Sequence, residues 1–250
     1  MSQLFTEEKL PYICTPLTGA TTEELLAEVQ AVLPKKPDLL EWRADFFLNI
    51  ENKEAVLETS RQLRHASGEI PILFTIRSVK EGGEHIPLDE SGKVELLGEM
   101  CKSDFVQMVD YEVCNEPELV RQVRDCSAKH GKKLILSYHN FKRTPHKMEI
   151  CKYLLQAELY GADAAKAAVM PENQEDVFTL LEATREMQKT MGIPVITISM
   201  GGLGAVSRLF GWMYGSVLTF AVGEHSSAPG QIPIEELRQA IQTVKQYSSL

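Results

Sequence analysis

Several features that mark other protein classes are missing from this 250-residue chain. There is no excess of basic residues: the formal net charge is −9 at pH 7, which argues against binding nucleic acid through its phosphates. There is no long apolar run, because the apolar, charge-free stretch 209–223 is broken by glycines and shorter than the roughly 20 residues of a membrane-spanning helix. The opening MSQLFTEEKL has no apolar signal region, so we expect a soluble cytoplasmic protein.

Paired cysteine motifs are also missing. The five cysteines are an odd number and include no C-x-x-C pair. This usage fits reduced thiols in a cytosolic protein better than a disulfide framework or a zinc site. No low-complexity linker divides the chain, so we expect a single domain over residues 1–250.

What the chain does contain is a regular alternation of short apolar runs and longer amphipathic segments. Several apolar runs are nearly continuous in β-branched and aliphatic residues, as is typical of parallel strands covered on both faces. The predicted strands are 12–16, 39–44, 71–78, 104–110, 133–139, 163–169, 194–200 and 216–222. Eight strand–helix alternations predict an α/β fold, a (β/α)₈ barrel, with a doubly wound open sheet as the alternative. The polar, glycine-rich segment 78–93 predicts a surface hairpin or a lid.

Polar side chains lie near the ends of the predicted strands. They are Glu41, Arg43, Arg77, Asp110, His139 and Lys166, and Met200 with GGLG follows the seventh strand. In a barrel the carboxyl ends of all strands share one rim, where catalytic residues collect. We therefore expect these side chains to converge.

Lys166 lies in the small and apolar run GADAAKAAVMP. Burial disfavours the ammonium form, so a lysine in such a place can present the neutral amine that attacks a carbonyl and forms a Schiff base. The alternative is a lysine whose stem is buried and whose ammonium reaches the rim. The four neighbouring alanines leave room at the amine and favour the first interpretation.

His139, in SYHNF, is the best candidate for a proton carrier, and Glu81, in KEGGEH, can orient it. The alternatives are a structural histidine and a solvated loop glutamate. A metal site made of Glu81, Glu84, His85 and His139 matches no closed-site spacing and is disfavoured.

The remaining candidates would bind substrate. Arg43, Arg77 and Arg208 can clamp a carboxylate, or can form rim salt bridges with Glu41 as a partner. GGLGAVSR resembles a phosphate-cradling loop but fails as a dinucleotide fingerprint, because Ser207 stands at the third glycine position. In the loop SSAPGQI, Ser227 and Gln231 can bind hydroxyl groups when the loop closes, unless it is an ordinary connection.

Six motifs in order, EWRAD, FTIRS…KEGGE, SYHNF, GADAAKAAVMP, SMGGLGAVSR and SAPGQI, resemble the type I 3-dehydroquinate dehydratase family over nearly the whole chain. The resemblance implies a (β/α)₈ barrel, a homodimer, and an enzyme without cofactor or metal. It implies that 3-dehydroquinate loses water to give 3-dehydroshikimate, the third step of the shikimate pathway, and that length leaves no second, fused domain.

The same resemblance assigns roles to residues. Lys166 is the Schiff-base lysine, His139 is the general acid and base, and Glu81 supports His139. The expected substrate site comprises Glu41, Arg43 and Arg77, with Arg208 for the carboxylate and Ser227 and Gln231 on the closing loop. One departure is the alanine-rich surroundings of Lys166, where the family more often has larger aliphatics, so we expect looser packing there. A lysine-dependent aldolase and an inactive barrel that acts as a binding protein remain as alternatives.

Overall fold

The computed structural model describes residues 5–6 and 9–248. Nine parallel strands are present among them: β1 (Tyr12–Leu17), β2 (Leu39–Arg43), β3 (Ile72–Thr75), β4 (Met108–Glu112), β5 (Lys133–Asn140), β6 (Ala164–Val169), β7 (Val195–Ser199), β8 (Leu218–Val222) and the short β9 (Ile232–Pro233). The helices are α1 (Thr22–Val32), α2 (Lys53–Ser67), α3 (Glu90–Lys102), α4 (Pro117–Lys129), α5 (Lys147–Leu159), α6 (Gln174–Thr190), α7 (Ala205–Phe210) and α8 (Ile234–Tyr247).

The first eight strands close into a barrel. Neighbours pair in parallel from β7 back to β1, and β1 also pairs with β8. The seam between β7 and β8 is closed by a single parallel bridge between Val195 and Ser216, next to which the N–H of Val217 donates to the carbonyl of Val195 at 2.9 Å. This confirms the predicted (β/α)₈ barrel, and the open-sheet alternative is wrong.

Side chains on each strand alternate between the helices and the barrel interior, because the side-chain period of a strand is two. On β2, Leu40 and Trp42 pack in the large cluster beneath the helices, and Leu39 joins a second cluster inside the barrel. Both faces of the strands are therefore buried, which explains why the sequence shows them as nearly continuous apolar runs.

The inner cluster forms an apolar floor below a polar layer. The floor includes Leu39, Leu73, Met108, Ile135, Ala164, Ile196 and Leu218. Two residues further along the respective strands, the inward positions hold Glu41, Thr75, Asp110, Ser137 and Lys166. Glu41, Asp110 and Lys166 thus lie inside β2, β4 and β6 rather than at strand ends, so the prediction that all six polar groups lie on the rim is wrong for these three.

The segment after β3 also differs from prediction. β3 ends at Thr75, Val79–Glu81 is a 3₁₀ helix, and α3 already begins at Glu90. The N–H of Gly92 donates to the side chain of Asp89, which caps α3 at 2.7 Å. The surface-hairpin interpretation of 78–93 is therefore wrong, because the capping signal in this polar segment starts a helix instead. Across the part of the chain that the structure describes, we find no helix of the length and apolarity needed to cross a membrane.

Candidate active site

A cavity of about 460 Å³, open to solvent, lies above the polar layer at the carboxyl ends of the strands. All nine residues predicted for the site line it: Glu41, Arg43, Arg77, Glu81, His139, Lys166, Arg208, Ser227 and Gln231. The apolar part of the wall is formed by Phe141, Ala168, Ile198, Met200, Phe220 and Ala228. The structure thus brings together side chains that are spread over almost 200 residues of sequence, as the barrel prediction required.

Lys166 is buried, with 5% of its surface exposed. Its Nζ lies 3.8 Å from Oδ2 of Asp110, 4.0 Å from Oε1 of Glu41 and 4.5 Å from the centre of the Phe220 ring. The interpretation of a lysine reaching out to the rim is wrong, because its neighbours hold the amine at the floor of the cavity. A buried ammonium is tolerated only when it is paired, and two carboxylates and an aromatic face provide that pairing here.

The alanines around Lys166 do not all enlarge its surroundings. Ala165 and Ala167 lie in the cluster beneath the helices, whereas Ala164 belongs to the barrel floor and Ala168 lines the cavity. The expectation of loose packing from four alanines is therefore wrong for two of them, because adjacent residues of a strand point to opposite faces.

His139 and Glu81 form a buried pair. Nδ1 of His139 lies 2.8 Å from Oε2 of Glu81, and the backbone N–H of His139 donates to the same oxygen at 2.9 Å. Glu81 reaches this position because the chain turns sharply after it. Gly82 has φ +84°, and a side chain at Gly83 would come within 2.1 Å of the carbonyl oxygen of Arg77. The two glycines of KEGGEH are therefore required by the local geometry.

Burial sets the proton distribution of this pair. Desolvation, assisted by the positive charges of Arg77, Lys166 and Arg43, lowers the pKa of His139 well below its ordinary value. Desolvation also raises the pKa of Glu81 to about 8, although Arg77 opposes this shift. At neutral pH the pair therefore favours a neutral imidazole and holds one proton between the two groups, which suits a histidine that first acts as a base.

The guanidinium of Arg77 is engaged by the protein. It contacts Oδ1 of Asp110 at 2.7 Å, Oγ of Ser137 at 2.9 Å and Oε1 of Glu112 at 3.3 Å. Burial alone would lower the pKa of Arg77, but the carboxylates of Asp110 and Glu112 raise it above its ordinary value. Arg77 lines the cavity, but most of its donors neutralise the acidic groups of the polar layer.

Arg43 is paired with Asp45 rather than with Glu41. Its Nε and one terminal nitrogen donate to the two carboxylate oxygens of Asp45 at 2.9 and 2.7 Å, and its guanidinium lies over the Phe46 ring. The predicted salt bridge to Glu41 is wrong because Asp45 follows in the 3₁₀ helix Ala44–Phe46 and matches the guanidinium fork. In the motif EWRAD, Asp45 therefore holds the guanidinium of Arg43 in place.

Arg208 is buried without a carboxylate. Only 2% of its surface is exposed, and its terminal nitrogens donate to the carbonyls of Phe220 at 3.2 Å and Pro229 at 3.0 Å. Within the described ranges no acidic group forms an ion pair with it, and its Nε has no acceptor. Desolvation lowers the pKa of Arg208 to about 10. A buried guanidinium with spare donors at the edge of a cavity suits an anionic group.

The loop 223–231 contributes Ser227, Ala228 and Gln231 to the cavity wall. Ser227 and Gln231 bond to each other, with Gln231 Nε2 donating to Ser227 Oγ at 3.2 Å and the Ser227 N–H donating to Gln231 Oε1 at 3.0 Å. The N–H of Gly201 donates to the carbonyl of Pro229 at 3.1 Å, so this loop rests on the segment that follows β7.

Comparisons with known proteins identify the family of this chain. The sequence model described as type I 3-dehydroquinase matches residues 13–248. A 3-dehydroquinate dehydratase of Geobacillus sp. (strain WCH70) is 53% identical over 237 residues, which cover 95% of this chain and 91% of that protein. This chain belongs to the type I 3-dehydroquinase family.

Solved structures give the same result for the fold of this type I 3-dehydroquinase. The 3-dehydroquinate dehydratase from Geobacillus kaustophilus HTA426 superposes with a TM-score of 0.94 at 49% identity, covering 95% of this chain and 92% of that one. The type I enzyme from Clostridium difficile, solved with covalently modified comenic acid, gives a TM-score of 0.91 at 39% identity, covering 96% and 94%.

Two further groups of residues complete the description of this family member. The disfavoured metal site of Glu81, Glu84, His85 and His139 does not form, because in the described part of the chain no three His, Cys, Asp or Glu side chains come together as possible ligands.

Some residues of the site were not found from the sequence. The sequence motifs assigned no role to Asp45, Glu112 or Ser137, and they marked Asp110 only as a strand end. The alternation of side chains along a strand could have indicated them. Asp110 and Ser137 each lie two residues beyond an inward apolar residue of the same strand, so they also point into the barrel.

Proposed function

We propose that this protein removes water from 3-dehydroquinate to give 3-dehydroshikimate through a Schiff base on Lys166. The observation that carries the proposal is the placement of the buried amine of Lys166 in the same cavity as the His139–Glu81 pair and the guanidinium of Arg208, which forms no ion pair within the described residues. Family membership supports the same reaction, since the relatives are named 3-dehydroquinate dehydratases.

Lys166 supplies the nucleophile. Its neutral amine attacks the ketone carbon and a C–N bond forms. The ketone oxygen then leaves as water with one proton from the amine and one taken up from solvent, which gives an iminium that keeps a single N–H. The iminium is the electron sink for the next step, so we propose that the reaction uses no metal or cofactor. The covalently modified comenic acid of the Clostridium difficile structure is consistent with covalent chemistry in a member of this family.

His139 moves the protons. The neutral imidazole removes a proton from the carbon next to the iminium, and the C–H electron pair forms an enamine. The enamine then returns its electrons and expels the hydroxyl on the following carbon, which takes the same proton from the imidazolium and leaves as water. One histidine that serves both steps acts on one face of the ring, so a syn elimination is expected. Hydrolysis of the product iminium frees the amine of Lys166.

The other cavity residues bind and orient the substrate in this proposal. Arg208 receives the substrate carboxylate on its free donors, and Ser227 and Gln231 exchange their mutual bonds for bonds to substrate hydroxyls. Glu41 and Arg43 complete the wall beside the ring. Holding the ring against both Lys166 and His139 supplies a large part of the rate, because it replaces a bimolecular encounter.

The experiment that tests the proposal is a direct assay. The protein is mixed with 3-dehydroquinate, and the ultraviolet absorbance of the conjugated enone product is followed for wild type and Lys166→Ala. We expect absorbance to grow with wild type only. Cleavage of a carbon–carbon bond instead, detected by mass spectrometry of the products, would favour a lysine-dependent aldolase.

Three further expectations stay with this proposal: residues 1–250 act as one catalytic domain, the chain forms a homodimer, and it works in the cytoplasm. Sedimentation velocity at micromolar concentration tests the homodimer.

A further inference from the structure

Asp110 has one carboxylate oxygen whose environment the proposed mechanism does not explain. The residue is 1% exposed, and its Oδ1 accepts from Arg77 and from Ser137, both at 2.7 Å. Its Oδ2 has no hydrogen-bond donor among the residues that the structure describes. A buried oxygen of a carboxylate without a partner is costly, so such a group calls for a functional explanation.

The unpaired oxygen faces the amine of Lys166. Oδ2 lies 3.8 Å from Nζ, slightly outside hydrogen-bond distance and well within the range of a strong charge interaction. The two bonds to Oδ1 fix the carboxylate from the other side, so Oδ2 cannot turn toward another donor without breaking them. Arg77 and Ser137 therefore hold Asp110 in the orientation that points its free oxygen at Lys166.

Glu41, the second carboxylate near Lys166, is arranged differently. Its Oε1, 4.0 Å from Nζ, already accepts the hydroxyl of Thr75 at 3.0 Å, and its side chain lines the cavity where the substrate would lie. Asp110 is not part of the cavity lining. The Glu41 side chain can thus contact the substrate, whereas the free oxygen of Asp110 faces Lys166 and not the cavity.

We propose that Asp110 is a positioning residue whose fixed negative charge stabilises the cationic nitrogen on Lys166, above all in the iminium. The proposal rests on the function proposed above. The nitrogen is positively charged as the ammonium and as the iminium, and it is neutral as the free amine and in the enamine. Asp110 forms no bond to substrate and exchanges no proton with it. When the iminium forms, its single N–H can point at Oδ2, which then gains the donor it lacks.

Arg77 makes this arrangement possible. The buried carboxylates of Asp110 and Glu112 both contact the guanidinium of Arg77, and their negative charges would repel each other without this cation between them. Arg77 therefore fixes the carboxylate of Asp110 beside Lys166 and offsets part of the local negative charge. This assigns Arg77 a role in the electrostatics of the site in addition to lining the cavity.

The test compares Asp110→Asn with the matched control Glu112→Gln. Each variant replaces a buried carboxylate that contacts Arg77 with an amide of nearly the same shape, but only Asp110 is paired with Lys166. Each protein is mixed with saturating 3-dehydroquinate and borohydride, and the fraction of Lys166 carrying the reduced adduct is measured by intact and peptide mass. Binding of quinate, which has an alcohol in place of the ketone, is measured by calorimetry.

For Asp110→Asn we expect quinate affinity close to wild type and a trapped fraction about tenfold lower or more, because the iminium loses the charge-assisted hydrogen bond to Oδ2 that the ammonium, at 3.8 Å, does not make. Glu112→Gln should trap nearly as much as wild type. An undiminished adduct in Asp110→Asn, or an equal loss in Glu112→Gln, would overturn the proposal for Asp110 and leave the Schiff base standing. No adduct in wild type would overturn both.

A measurement on the wild type covers the case in which Asp110→Asn does not fold. The borohydride-reduced adduct is crystallised, and its nitrogen, still a cation, is located. We expect this nitrogen within about 3 Å of Oδ2 of Asp110, at hydrogen-bond distance. A nitrogen turned away from Asp110 and bonded only to Glu41 or to water would overturn the proposal.

Discussion

One carboxylate oxygen, Oε2 of Glu81, accepts the backbone N–H of His139 at 2.9 Å and forms a second hydrogen bond, at 2.8 Å, with the ring nitrogen Nδ1 of the same residue. The two bonds fix the position of the imidazole and its orientation at once. If Nδ1 carries the proton toward Glu81, Nε2 is left as the basic nitrogen of the ring. The protonation of this pair decides how activity and stability depend on pH.

The pH dependence of activity should reflect the low basicity of His139. Burial and neighbouring cations lower its pKa well below the ordinary value of 6.5, and the proposed reaction needs the neutral imidazole. We therefore expect kcat/KM to stay level as the pH falls to 6.5 and to decline only at lower pH. Steady-state rates from pH 5 to 9 check this, and an acid limb centred at or above pH 6.5 would contradict it.

Glu81→Gln should change stability in a pH-dependent way. Desolvation raises the folded-state pKa of Glu81 from 4.5 to about 8. Between these two pH values the unfolded chain binds fewer protons than the folded chain. The wild type therefore loses stability as the pH rises through this window. The glutamine variant lacks this loss. The difference in Tm, variant minus wild type, should therefore increase from pH 5 to pH 8. Thermal unfolding at several pH values measures this difference, and a constant difference would argue against the raised pKa.

His139→Ala should slow turnover by roughly 10²–10⁴, the usual contribution of general acid–base catalysis. The borohydride adduct on Lys166 should still form, because Lys166 makes the first bond. The control is His85→Ala, since His85 is exposed and does not line the cavity. Full turnover in His139→Ala would remove its proposed role.

Arg208→Ala should act on substrate binding more than on the chemical step. A hydrogen bond to a charged group contributes about 1.5–3 kcal/mol, so we expect KM to rise by roughly 10- to 150-fold. Arg208→Lys keeps the charge but loses the planar fork and should be intermediate. Arg121→Ala, at an exposed ion pair with Glu118, is the matched control and should leave KM unchanged. Equal KM values for wild type and Arg208→Ala would contradict the clamp.

Two glycines of GGLG offer a sharp steric contrast. A side chain at Gly204 would come within 2.1 Å of the carbonyl oxygen of Ser199, whereas one at Gly202 would have no other described residue within 4 Å beyond its chain neighbours. Gly204→Ala should therefore lose about 1–3 kcal/mol of stability and raise KM, because it displaces the turn that leads to Arg208. Gly202→Ala should resemble wild type. Denaturant unfolding of the pair measures the contrast, which equal stabilities would refute.

The sequence predicted the barrel and nine of the residues that line the cavity because both depend on local patterns. Apolar runs of strand length marked the strands, and a lysine among small and apolar neighbours was conspicuous. Partners across strands could not be predicted in the same way. The pairing of Arg43 with Asp45 depends on a 3₁₀ turn, and the orientation of Asp110 depends on Arg77 and Ser137 from two other strand regions.

Segment boundaries were less predictable for a related reason. The polar composition of 78–93 is equally compatible with a loop and with the solvated start of a helix, and only the side-chain cap of Asp89 on the N–H of Gly92 marks where α3 begins. The faces of Ala165 and Ala167 also depend on the register of β6 within the barrel, which composition does not encode.

The central claim is the bond between Lys166 and the substrate carbon. Borohydride is added with 3-dehydroquinate to wild type, to Lys166→Ala, and to Lys93→Met as a control, since Lys93 is a second buried lysine that lies outside the cavity. We expect one reduced adduct per chain in wild type and in Lys93→Met, located on Lys166 by peptide mass, and none in Lys166→Ala. No adduct in wild type, or an adduct on any other lysine, would contradict the account.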